Sequence, residues 1–189
     1  MPVHFPVCYI KKMAQNATIY KAELQLADMD RGHYQNYSMT IACHPSETDF
    51  RMMVRLLAFA LNASDSLFFS KGISTENEPD IWQKNLSDEI LLWIDLGQPD
   101  EKRIRKACGR SQQVIIYTYQ QRSATAWWQQ IKNSLQRFDN LHIYSLAVEE
   151  HELVQFVDRQ ILLQCTIQDG ECWLSDGKTS TKIELKQWK

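Results

Sequence analysis

Three carboxylates carry the chemistry this chain could do. Asp80 follows Pro79 at a loop or strand start, and Asp95 lies fifteen residues on, inside the run Ile90-Leu91-Leu92-Trp93-Ile94 that continues into Leu96-Gly97. A run of that composition reads as a buried strand, where an ionised carboxylate without a partner loses its hydration uncompensated. The spacing allows a short strand, a turn and a return strand, which would bring the two carboxyls together. Two such groups repel and one pKa rises unless a cation bridges them, and a hard divalent ion with oxygen ligands, Mg²⁺ or Mn²⁺, fits. Glu47 could complete the set, because with Arg51 and Arg55 it forms a polar ridge spaced four apart on an otherwise apolar helix. Each acid also has an ordinary reading. Asp80 could be a turn or cap residue after proline, and Asp95 a strand-end acid met by Arg51, Arg55 or backbone N–H groups. Glu47 could be a first-turn acid stabilised by the helix dipole and paired with Arg51.

The Asp80 … Asp95-Leu96-Gly97 arrangement resembles the metal-binding core of the PD-(D/E)xK nuclease superfamily. In that superfamily one Asp, then an Asp/Glu-x-Lys on the next strand, holds Mg²⁺ for phosphodiester hydrolysis. Gly97 stands in the lysine's place. The resemblance implies catalytic Asp80 and Asp95 and metal ligation by Glu47, Asp80 and Asp95. Lys106 on the following helix, or Gln98, would replace the ammonium that orients the attacking water. Arg103, Lys106 and Arg51 would hold the backbone of DNA or RNA. The ordinary reading of the basic run Lys102, Arg103, Lys106 and Arg110 is a solvated helix face. His44 at the helix start is a candidate base or ligand, although a histidine there more often bonds nearby backbone; His33, His142 and His151 show no metal-ligand spacing.

At 189 residues, with 44% apolar and 23% charged residues, the chain suits one packed domain over 16–189, preceded by a loose extension over 1–15 in which Met13 is a candidate start. The stretch through Val7-Cys8-Tyr9-Ile10 has its charges after the apolar residues, unlike a secretory signal. No apolar run is long enough for a bilayer span, so no membrane partner is expected. Five cysteines with no CxxC pair point to a reducing cytoplasm. A net charge of −2 and a pI near 6.2 leave nucleic-acid binding to a local basic patch.

Alternation from Thr18 to Leu26 and again through Tyr37, Met39 and Ile41 predicts a hairpin. Ser46 with Asp49 three residues later predicts a capped helix running to about Asn62. Leu67–Phe69 is a short strand, 73–78 a polar loop and Leu91–Leu96 the buried strand. Pro99-Asp100-Glu101 opens a basic amphipathic helix with Ile104, Ala107 and Cys108 opposite its charges. A strand over Val114–Tyr119 and a helix capped by Ser123, with Trp127, Ile131, Leu135 and Phe138 on one face, come next. A strand over Leu141–Leu146 and a helix over Glu149–Arg159 repeat that order. From Ile161, turns at Asp169-Gly170 and Asp176-Gly177 predict a meander ending near Leu185.

His44-Pro45-Ser46-Glu47-Thr48, Glu78-Pro79-Asp80-Ile81-Trp82, Trp93-Ile94-Asp95-Leu96-Gly97-Gln98-Pro99-Asp100 and Trp127-Trp128-Gln129-Gln130 closely resemble the bacterial YaeQ family, over Ala17 to about Trp188. The resemblance implies an α/β fold with a restriction-endonuclease-like core: a mixed β-sheet flanked by helices, plus the N-terminal hairpin and C-terminal β-meander as family additions. Two functions follow as expectations. One is a Mg²⁺-dependent nuclease-like phosphodiesterase with a degenerate motif; the alternative is a noncatalytic nucleic-acid or protein binding module on the same fold. A third possibility is that the acids serve stability alone.

Overall fold

A computed structural model describes residues 17–70 and 77–189; the expected extension over 1–15 and most of the expected polar loop lie outside them. The order is β1 (Thr18–Asp28), β2 (His33–Cys43), α1 (Asp49–Asn62), β3 (Leu67–Phe69), β4 (Ile81–Lys84), β5 (Ile90–Leu96), α2 (Glu101–Cys108), β6 (Ser111–Thr118), α3 (Gln121–Leu135), β7 (Leu141–Ala147), α4 (Glu150–Val154), β8 (Gln160–Gln168), β9 (Glu171–Ser175) and β10 (Ser180–Gln187). All ten of these strands belong to one mixed sheet ordered β2-β1-β8-β9-β10-β7-β6-β5-β4-β3. The expected hairpin and meander are both present. They are joined, because β1 pairs in parallel with β8 from Lys21↔Gln160 to Asp28↔Ile167. No local pattern announces that long-range pairing.

The sheet curls around α1. From Phe50 to Ala60 that helix buries every residue except Arg51, against inward-facing Leu24 of β1, Leu163 of β8, Leu174 of β9 and Ile94 of β5. A helix apolar on nearly all sides requires cover on nearly all sides, and the curled sheet provides it together with Leu153 of α4 and Phe156 just after it. The two edge strands are linked through side chains outside them: the Gln35 amide of β2 donates to Asp65 Oδ1, just before β3, at 3.2 Å, and Phe59 of α1 contacts both Tyr37 of β2 and Phe69 of β3. The sheet is therefore nearly closed.

Strands β5, β6 and β7 run parallel and are covered on both faces, which explains their continuous apolar runs. Ile94 and Ile115 face α1, whereas Trp93, Val114, Ile116 and Ile143 face an outer layer of α2 and α3 through Ile104, Ala107 and Leu135. Asp95, two residues from Trp93, shares that outer face.

Two helix starts differ from the sequence expectation. Thr48, not Ser46, caps α1, its hydroxyl accepting from the Arg51 N–H, so Glu47 lies before the helix and not in its first turn. Helix α3 begins at Gln121 behind Gln120, which has φ +62°, and Ser123 sits inside its first turn, donating to Gln120 O. Helix α4 covers only part of the expected 149–159 span. Among the described residues no helix is long and apolar enough to cross a membrane.

Met53, fully buried in α1, tests the wrapped-helix arrangement. Met53→Ala is expected to lose roughly 2–5 kcal/mol of stability by urea denaturation, and a loss under about 1 kcal/mol would contradict it.

Candidate functional site

The C-terminal end of β5, the approach to β4 and the start of α1 bring the three expected acids into one neighbourhood. Pairing of Ile81 with Ile94, continued one residue, sets Asp80 beside Asp95. The Asp80 backbone N–H donates to Ile94 O, and the Leu96 N–H donates to Asp80 Oδ2 at 2.9 Å. All three acids are buried: Glu47 and Asp80 are 8% exposed and Asp95 2%.

Their compensating charge is arginine. Arg51 Nη1 donates to Glu47 Oε1 at 2.9 Å and its Nη2 to Asp80 Oδ1 at 2.6 Å, so one guanidinium bridges two carboxylates. Arg55, itself 2% exposed, donates through Nη2 to Glu47 Oε2 at 2.9 Å and to Ala42 O at 2.8 Å, with its guanidinium over the Phe69 ring. Arg103 grips Asp95 as a two-pronged fork, Nε to Oδ2 at 2.8 Å and Nη2 to Oδ1 at 2.7 Å, lies over Trp93, and also donates to Glu78 O. Asp100 caps α2 by accepting from the Arg103 N–H at 2.7 Å, which aims that residue back toward β5.

All six oxygens of Glu47, Asp80 and Asp95 thus accept bonds from N–H donors. Burial pushes the Asp95 carboxyl above its ordinary value, the Arg103 fork pulls it back, and Asp80 adds to the rise. A divalent ion would need several of these oxygens within about 2.0–2.6 Å, yet each is turned toward a guanidinium or a backbone N–H, and three positive side chains already balance three negative ones. As placed, these residues do not fit such an ion. Among the described residues no group of three His, Cys, Asp or Glu side chains could hold a metal.

Of the other candidate residues, Lys106 and Gln98 are turned elsewhere. The Lys106 ammonium bonds Asn77 Oδ1, and the Gln98 amide donates to Ser123 Oγ at 2.8 Å. His44 accepts the Ser46 N–H on Nδ1, the local backbone bond expected of it. Gly97 has φ +90°, a conformation that strains any side chain, and a Cβ there would lie 4.0 Å from the Tyr119 hydroxyl. Tyr119 is the residue sequence reading did not find. Burial pushes its pKa up while the nearby positive charge of Arg51 pulls it down. Its signal is weak, an aromatic one residue beyond a strand end. Arg103, expected to contact a nucleic-acid backbone, is instead the partner of Asp95, where the sequence suggests Arg51, Arg55 or backbone N–H groups.

Against known proteins, a family model described as YaeQ protein matches residues 13–185. The Escherichia coli (strain K12) relative, an uncharacterized protein YaeQ, is 46% identical over 93% of this chain and 98% of its own, and the Salmonella typhi relative of the same name is 45% identical over the same shares. The crystal structure of YaeQ protein from Xanthomonas axonopodis pv. citri matches with a TM-score of 0.88 at 43% identity, over 92% of this chain and 98% of that one. That from Pseudomonas syringae gives 0.87 at 33%, over 92% and 96%.

The raised folded-state value of Asp95 means that its contribution to stability is full below the unfolded carboxylate range and is lost as pH rises through the folded value. Removing Arg103 takes away the downward pull, so the window moves to higher pH. Arg103→Ala is therefore expected to lose roughly 3–5 kcal/mol near neutral pH and progressively less as acid protonates Asp95. Urea denaturation across that pH range measures this, and a loss equal at acid and neutral pH would contradict it.

Proposed function

The chain belongs to the YaeQ family, and from that membership and its ionic cluster we propose that it is a noncatalytic nucleic-acid-binding module on a PD-(D/E)xK-like fold. The observation that carries this reading is the occupancy of all six carboxylate oxygens by N–H donors. A guanidinium supplies charge but no open coordination position from which water could be activated. The left-handed Gly97 with Tyr119 beside it supports the same conclusion, because a lysine there would be strained.

The binding face is the outer side of α2. Lys102, Arg105 and Lys106 are exposed there on one short helix, with exposed Arg110 just past its end, whereas Arg51 and Arg103 are engaged by carboxylates. Phosphate contacts made by such a patch release counterions, so binding is steeply salt-dependent and largely indifferent to sequence. The overall charge of −2 confines the effect to this face.

A Mg²⁺- or Mn²⁺-dependent phosphodiesterase is the second reading. The nearness of Asp80 and Asp95 favours it, since each would be a natural ligand were Arg51 and Arg103 to withdraw.

Fluorescence anisotropy of labelled single-stranded and duplex DNA and RNA at low salt separates the two. The expected result is binding in the high-micromolar range or better that EDTA leaves unchanged, and that Lys102→Glu with Arg105→Glu and Arg110→Glu weakens at least about tenfold. Absence of binding would overturn the proposal. Cleavage that appears with Mn²⁺ and disappears in Asp80→Asn with Asp95→Asn would overturn it in favour of the phosphodiesterase.

A further inference from the structure

Helix α3 and strand β10 form the walls of a groove of about 520 Å³ that shares no residue with the ionic cluster or the basic helix. On one side Gln121, Thr125 and Gln129 recur every four residues of α3, about 6 Å apart. On the other, Glu184, Lys186 and Trp188 recur every second residue along β10 and its continuation, about 6.6 Å apart. The floor is β7, where Ala147 pairs with Glu184 and Ser145 with Lys186.

We propose that this groove binds an extended segment of a partner protein carrying a basic, then an acidic, then an aromatic side chain at alternate positions. The two walls share nearly one repeat, and it is the repeat at which an extended peptide presents successive side chains on one face. Gln121 and Gln129 each carry a carboxamide able to donate to and accept from a peptide backbone; Gln129 Oε1 already accepts from Lys132, leaving its amide nitrogen for the guest. Glu184 and Lys186 are exposed and have no ion-pair partner among the described residues. Opposite charges held apart at the peptide pitch select a guest with the complementary order. Trp188 stacks on Trp128 with ring centroids 5.8 Å apart and planes 20° apart, which fixes an indole surface at the end of the row.

Four blocked pentapeptides test this: lysine, threonine, glutamate, threonine, tyrosine; the same residues in reverse order; and both with lysine and glutamate exchanged. Isothermal titration with the full chain is expected to show one of the first two binding about tenfold more tightly than its exchanged counterpart. In the double variant Glu184→Lys with Lys186→Glu the preference is expected to invert. Both positions are exposed, and the variant's unchanged thermal midpoint would show that it folds. Binding that ignores charge order, a preference that the double variant does not invert, or no heat with any peptide would overturn the proposal. Sedimentation adds one further outcome: a dimer dispersed by the double variant would place a second copy in the groove and also overturn it. None of these results bears on the α2 face, so the nucleic-acid reading stands or falls separately.

Discussion

Glu47 is buried between two arginines of the helix it precedes, and the arrangement of the whole molecule follows from supplying charge to it and to the two aspartates near it. Arg51 spans Glu47 and Asp80, tying α1 to the approach to β4. Arg55 reaches the end of β2 through Ala42 O. Arg103 ties α2 to β5. An ionised carboxylate removed from water is tolerated only when paired and fully hydrogen-bonded, and breaking one partner leaves the other uncompensated. The central helix, the sheet that wraps it and the outer helical layer are thus joined at one place by charge as well as by packing.

Guanidinium and a divalent cation solve the same electrostatic problem with different chemical consequences. A metal ion with an open position lowers the pKa of its water and polarises a phosphoryl oxygen. Arginine has five N–H donors in a rigid plane and no position for a substrate atom. Here the fork on Asp95 is saturated and Arg51 is divided between two acids, so the cluster orders its surroundings without offering a reactive group. Both proposed binding surfaces, the exposed cations of α2 and the groove beside α3, accordingly lie outside the cluster.

Much of this was legible in the residues. Period-two alternation gave β1 and β2, the apolar run gave β5, and Asp100 ahead of Glu101 gave the start of α2. The convergence of Glu47, Asp80 and Asp95 was legible too, as was arginine as their alternative partner. The identity of the partner is not: the basic run with Lys102 and Lys106 points Arg103 toward phosphate, whereas its side chain turns back on Asp95. Thr48 rather than Ser46 caps the helix; either hydroxyl can accept the first N–H, so local sequence does not choose between them. The parallel pairing of β1 with β8 joins residues about 140 apart in the sequence, where local pattern carries no information.

Anomalous diffraction from crystals soaked in Mn²⁺ tests most directly whether arginine is the resident cation. Arginine compensation predicts no anomalous peak between Glu47, Asp80 and Asp95, with the Arg51 and Arg103 forks still closed on their carboxylates. A peak bonded to Asp80 and Asp95, with those guanidinium groups swung away, would contradict it.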